Sequence, residues 1–198
     1  MLSLNNYLGD KEFDKFLIES EITLTVWEIK FYILGIITGL EDVPVSFALS
    51  ELLLEDTGFD IEFQNENQYT HFLEQFMSLW NVIAGFNGIP DLCPVPDKLN
   101  GEELFHALTI REAEIGNFLS GLAESDSYDI SKKFSVFHDE IDALESIDEE
   151  MSRLLESYDC VNEMDALKAK DLLQIAEEIF IDAFPVIKET ILSNRIVN

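Results

Sequence analysis

The stretch Val26 to Gly39, VWEIKFYILGIITG, constrains the fold of this chain more than any other. Val26, Ile29, Tyr32, Ile33, Ile36 and Ile37 recur at helical spacing, and Trp27 and Phe31 carry apolar surface onto the remaining arc. A helix that is apolar nearly all round must be enclosed by other elements, because no face of it tolerates water. Thr25 and Glu28 stand at the Ser/Thr-x-x-Glu spacing of a capping box, which satisfies two orphan amides at a helix start. Gly39 is the expected left-handed C-cap, and Pro44 keeps the helix from resuming at once. Ser46 is then expected to cap a helix running to about Glu55.

What encloses this helix reads as further helix. Lys11 to Glu19 places Phe13, Phe16 and Leu17 on one side. Asn67 to Phe86 repeats apolar side chains at Tyr69, Phe72, Leu73, Phe76, Trp80 and Ile83, three and four apart, and ends at Asn87-Gly88. Pro90, Pro94 and Pro96 make Ile89 to Leu99 an irregular linker. Asn100 restarts a helix with the stripe Leu104, Phe105, Leu108, Ile115, Phe118, Leu119 and Leu122, and Thr109-x-x-Glu112 is either an internal turn or a second capping box. Ala123 to Tyr128 reads as a polar loop. Two helices, Ser131 to Leu144 and Ser146 to Tyr158, separate or continuous, precede a last one from Ala169 to Asn194 that Pro185 should kink. Only Phe59 to Phe63 alternates with period two, too short a run to found a sheet. The expected architecture is all-α, an orthogonal bundle of about seven helices with no significant sheet. It forms one domain over 1–198, with a possible division at the linker 87–100.

Charge narrows the function classes. Forty Asp and Glu against 12 Lys and Arg give a formal net charge of −28. Apolar residues at 47% separate such a chain from a solvated acidic tail. Nucleic acid and anionic membrane surfaces are poor partners, since both need clustered Lys and Arg. From Phe31 to Asp97 no base interrupts eleven carboxylates, and Asp139, Glu140, Asp142, Glu145, Asp148, Glu149 and Glu150 add seven more within a second base-free block. These seven are the candidate partner-binding acidic face, for a protein with a basic surface. The bland alternative is a solvated helix face. A homodimer would have to form through an apolar patch, because a surface so charged repels its own copies.

Catalytic chemistry finds little support. Glu103 and His106 share a helix face at the Glu-x-x-His spacing of carboxylate-bridged di-iron bundles, but His71 and His138 lack a Glu three residues earlier, so no second copy of the motif exists. The acidic stretches Asp56 to Glu62 and Asp126 to Lys133 lack the glycine and the bidentate Glu of an EF-hand loop. Nucleophile elbow, Walker loop and dinucleotide fingerprint are missing. No catalytic, metal or cofactor-binding residue is therefore assigned, no cofactor is expected, and the chain does not read as an enzyme. Cys93 and Cys160 have no CxxC partner and are expected as reduced thiols. The start carries no basic region followed by an apolar run, and the greasy stretch Phe31 to Leu40 is half the length that spans a bilayer, so the expected compartment is the cytoplasm.

Lys30 to Gly35 through Thr38-Gly39-Leu40-Glu41-Asp42-Val43-Pro44-Val45-Ser46 resembles the signature stretch of the YecA/YgfB-like family of small bacterial proteins. Ile115 to Leu122 is similar to that family's second marker, a Trp-led helix ending in Gly-Phe-Leu-x-Gly-Leu. The chain departs from the pattern in that Phe31 stands where Gly is usual, Asn117 replaces the Gly before Phe118, and Glu114 falls near the expected Trp. The resemblance implies an all-α fold without agreed catalytic residues. The Cys-rich zinc module found in some members has no counterpart before Asn198. The functional expectation is a protein-interaction or regulatory factor. The alternatives are a metal-binding helical protein using Glu103 and His106, and a small acidic chaperone for a partner protein.

Overall fold

In the computed structural model, residues 7–39, 43–53, 63–95, 99–125 and 137–195 are described. They form α1 (Asp10–Glu19), α2 (Val26–Thr38), α3 (Val45–Leu52), α4 (Glu66–Ala84), α5 (Gly101–Glu124), α6 (His138–Ser157) and α7 (Glu163–Arg195), with no strand among them. The expected multi-helix all-α bundle is what the chain adopts.

Local chemistry sets the helix starts. At α2 the Glu28 carboxylate accepts the Thr25 N–H at 2.6 Å, and Thr25 Oγ1 accepts the Glu28 N–H at 3.3 Å. At α5, Asn100 and Glu103 form the same reciprocal pair at 2.8 and 3.0 Å. Thr109 is interior to α5, where its hydroxyl donates to the Phe105 carbonyl. α3 starts at Val45, because the Pro44 carbonyl accepts the first N–H bonds, from Phe47 and Ala48, leaving Ser46 inside the helix without a capping role. α6 runs unbroken through Ser146. α7 starts six residues before the expected Ala169, because Asn162 accepts the N–H groups of Met164 and Ala166 and so starts the helix there; its helix continues through Pro185. The alternating run apart from Phe63, both candidate calcium stretches and the 131–136 part of the expected helix lie outside the described residues.

α2 is enclosed as its composition demands, with Val26, Ile29, Phe31, Ile33 and Ile36 all at most 1% exposed. It packs most extensively on α5, which in turn touches α6 and α7. Four phenylalanines knit three of these helices: Phe31 of α2 and Phe118 of α5 meet Phe180 of α7 at centroid distances of 5.4 and 5.3 Å, and Phe184 of α7 completes the cluster. A second aromatic group joins Phe13 of α1 to Phe72 and Phe76 of α4. One apolar core thus runs from Phe13 to Ile191, on both sides of the proline-rich linker.

At the α2–α5 crossing the two backbones touch. A Cβ on Gly35 would run into the Phe118 carbonyl oxygen, and one on Gly121 into the Tyr32 carbonyl oxygen. Gly39 differs from expectation: at φ −61° and ψ 173° it continues in an extended path that any residue can adopt. The indispensable glycine of α2 is therefore one turn earlier, where close packing requires it and not a left-handed cap. The two stretches that carry the family resemblance meet at this crossing. Gly35→Ala or Gly121→Ala should each destabilise the fold by about 3 kcal/mol, through forced separation of two backbones. Gly85→Ala, at the end of α4 with no neighbour nearer than 3.4 Å, should change stability by under about 0.5 kcal/mol. Urea unfolding of the three variants checks this, and equal effects at all three sites would refute the contact.

Candidate functional site

The candidate site lies where side chains of α2, α3, α5 and α6 come together. They border a cleft of about 840 Å³ whose walls carry six carboxylates: Glu28 of α2, Glu112 and Glu124 of α5, and Glu145, Asp148 and Glu149 of α6. No Lys or Arg is among the described residues that line it; apolar surface comes from Tyr32, Leu52, Leu119, Ala113 and Ala123.

Helical periodicity divides the seven residues of the acidic block. Glu145, Asp148 and Glu149 reach the cleft. Asp139 and Glu140 occupy the first turn of α6, where the helix dipole favours carboxylates. Asp142 lies 3.0 Å from Nδ1 of His138 on the exposed side. Glu150 borders a separate groove between α6 and α7, with Arg153 and Lys168. The contiguous run is therefore not one face. The cleft instead joins three of its members to Glu28, Glu112 and Glu124, which are distant in sequence.

Several of the six carboxylates have protein partners. Glu28 belongs to the α2 capping box, Glu112 accepts the Ser152 hydroxyl at 2.7 Å, and Glu149 pairs with Arg153 at 2.7 Å on an exposed surface. Asp148 differs. Its Oδ1 is buried and meets no hydrogen-bond donor among the described residues. The carboxylate sits over Gly116 of α5, with Oδ1 3.5 Å from where a Cβ would stand. Burial, then repulsion from Glu112, Glu149 and Glu145, pushes the Asp148 carboxyl up to about 6. Burial and Glu51 likewise raise Glu124. The Tyr32 phenol, buried and facing Glu124 and Glu51, is held well above its usual range. In all three, burial is the largest cause and neighbouring carboxylates add to it in the same sense.

Elsewhere the sequence candidates separate. Glu103 is exposed and committed to the α5 capping box, and His106 is exposed one turn further on. Both border a small cavity of about 320 Å³. Among the described residues no three His, Cys, Asp or Glu side chains converge as a metal site would require. Cys93 and Cys160 are both free, and burial followed by the Glu114 charge raises the Cys93 thiol.

Two polar residues inside the core, Arg111 and Glu114 of α5, escaped the sequence reading; they are 2% and 0% exposed. The signal was present, since Arg111 continues the four-three spacing of Leu104, Leu108, Ile115, Phe118 and Leu122. A charge on an apolar stripe marks either an exposed gap or a buried pair.

No helix among the described residues is long and apolar enough to cross a membrane. Comparison with protein families, with curated proteins and with solved structures finds no match, so the YecA/YgfB-like resemblance rests on the residues quoted for it.

The sign of the Asp148 effect makes it testable. Its folded value lies above its unfolded one, so its contribution to stability is complete below the ordinary aspartate range and is lost as pH rises through about 6. Asp148→Asn should therefore stabilise the protein by about 1–2 kcal/mol at pH 7.5, after allowing for partial solvent screening. The gain should vanish near pH 3.5. Urea denaturation at both pH values checks this, and a variant that is destabilised at pH 7.5 would contradict it.

Proposed function

We propose that this chain is a non-enzymatic, cytoplasmic protein-interaction factor that receives a Lys- or Arg-bearing segment of a partner protein in the cleft between α2, α5 and α6. The observation that carries this reading is Asp148, a carboxylate with one oxygen buried and without a donor among the described residues, set among like charges in a cleft whose described walls carry no Lys or Arg. A cationic side chain entering there would supply the missing donor and the missing counter-charge together. The apolar walls offer room for the stem of such a side chain, since Lys and Arg bury their methylenes while presenting the charge. The six carboxylates of the cleft share one sign, which suits capture of a cation. Membership of the YecA/YgfB-like family accords with this reading and forms part of the proposal.

The test uses a lysine-rich peptide with interspersed leucines, titrated calorimetrically. Affinity should fall by about tenfold or more between roughly 50 and 500 mM salt. Reversing Glu145→Lys with Glu149→Lys should weaken binding by a similar factor. Reversing Asp139→Lys with Asp142→Lys, outside the cleft, should have a much smaller effect. Equal losses from the two double variants would mean that overall charge, and not the cleft, attracts the peptide, and binding indifferent to salt would remove the acidic cleft from consideration.

A further inference from the structure

The buried pair on the other side of α5 grips the linker through its backbone. Arg111 Nη1 lies 3.1 Å from Glu114 Oε2, one helical turn away, inside the core. The pair reads both polar groups of one residue: the Cys93 N–H donates to Glu114 Oε1 at 2.6 Å, and Arg111 Nη2 donates to the Cys93 carbonyl at 3.0 Å. Among the described residues these are the only hydrogen bonds that tie residues 87–95 to the helices. Beneath the linker the surface is hollow. A cavity of about 570 Å³ bordered by Ile89, Leu92 and Ile181 lies on one side, and the cavity of about 320 Å³ bordered by Leu99 and Ile110 lies on the other. Cys93, Pro94, Val95 and Arg111 wall both.

We propose that residues 87–95 form a strap latched by the Arg111–Glu114 pair, that its release joins the two cavities into one groove along α5, and that release is coupled to loss of a proton from Glu114. The strap is then held more tightly at acid than at alkaline pH. This inference is independent of the acidic cleft.

The direction follows from what surrounds Glu114. Arg111 of its own helix and Lys30 of α2 favour its charge, as does the Cys93 N–H. Glu177 of α7 opposes it, and full burial opposes it most, raising its carboxyl to about 7. The Cys93 thiol, itself raised by burial and by Glu114, faces the pair from the strap. A protonated carboxyl still accepts the Cys93 N–H through its carbonyl oxygen, so the strap keeps that bond when Glu114 is neutral. Lifting the strap admits water to Glu114 and returns it toward its ordinary carboxylate range. Opening therefore releases a proton, and it is promoted as pH rises from the ordinary range to about 7.

Residue-resolved amide hydrogen exchange between pH 5 and pH 8 tests this, with rates divided by the intrinsic exchange rate at each pH. The Cys93 N–H should be less protected than that of Leu108 in α5, which opens only with the core. Its protection should fall by about tenfold or more across the range. Glu114→Gln retains an oxygen to accept the Cys93 N–H and should abolish the pH dependence at that amide. The proposal is overturned if Cys93 and Leu108 are equally protected, if Cys93 protection is constant with pH, or if the dependence survives in Glu114→Gln. The first two outcomes need only the unaltered protein, so they decide the matter even if the variant does not fold.

Discussion

Backbone contact between α2 and α5 at Gly35 and Gly121 is the constraint from which the remaining geometry descends. With no side chain between them, the two helices approach until carbonyl and Cα are in contact, and α5 is fixed in place beside the most apolar helix of the chain. Having its Gly121 face taken by α2, α5 must serve its other neighbours with what remains. Its Glu112 and Gly116 side meets α6 and builds the acidic cleft, while Arg111 and Glu114 meet the linker. Phe118, between the two, inserts into the aromatic cluster with α7. One helix thus positions both polar features, and a shift of α5 would disturb them together.

The electrostatics of the two features contrast. At the linker, a buried carboxylate has an arginine, an amide donor and a lysine field in its favour, and desolvation still outweighs them. In the cleft, desolvation and like-charge repulsion act in the same sense on Asp148. The first arrangement ties the linker to α5. The second remains open to a cation from outside. A formal charge of −28 spread evenly over a bundle would have produced neither.

The fold was largely legible because periodicity and caps are local. Thr25 with Glu28 sits where its spacing places it, Asn100 starts a helix as expected, and the apolar all-round α2 is buried as its composition requires. What was not legible depended on neighbours remote in sequence. Gly39 looks like the important glycine of α2 because it ends the helix, yet Gly35 is the one that α5 approaches. The acidic block of α6 looks like one surface in linear order, but the 3.6-residue period sends Glu150 to one groove and Asp148 to another. Glu28, Glu112 and Glu124 belong to the cleft without any sequence proximity to it. Arg111 could have been noticed as a charge on an apolar stripe; its partner groups on Cys93 could not.

The decisive quantity is the titration of Asp148 itself, followed by carboxyl-carbon NMR in the free protein and with the lysine-rich peptide at saturation. An apparent value near 6 in the free protein that falls toward the ordinary aspartate range on binding is expected, because an incoming cation replaces the absent donor. An ordinary titration in the free protein, or a raised one that the bound peptide leaves unchanged, would contradict the cleft as the place where this chain meets a basic partner.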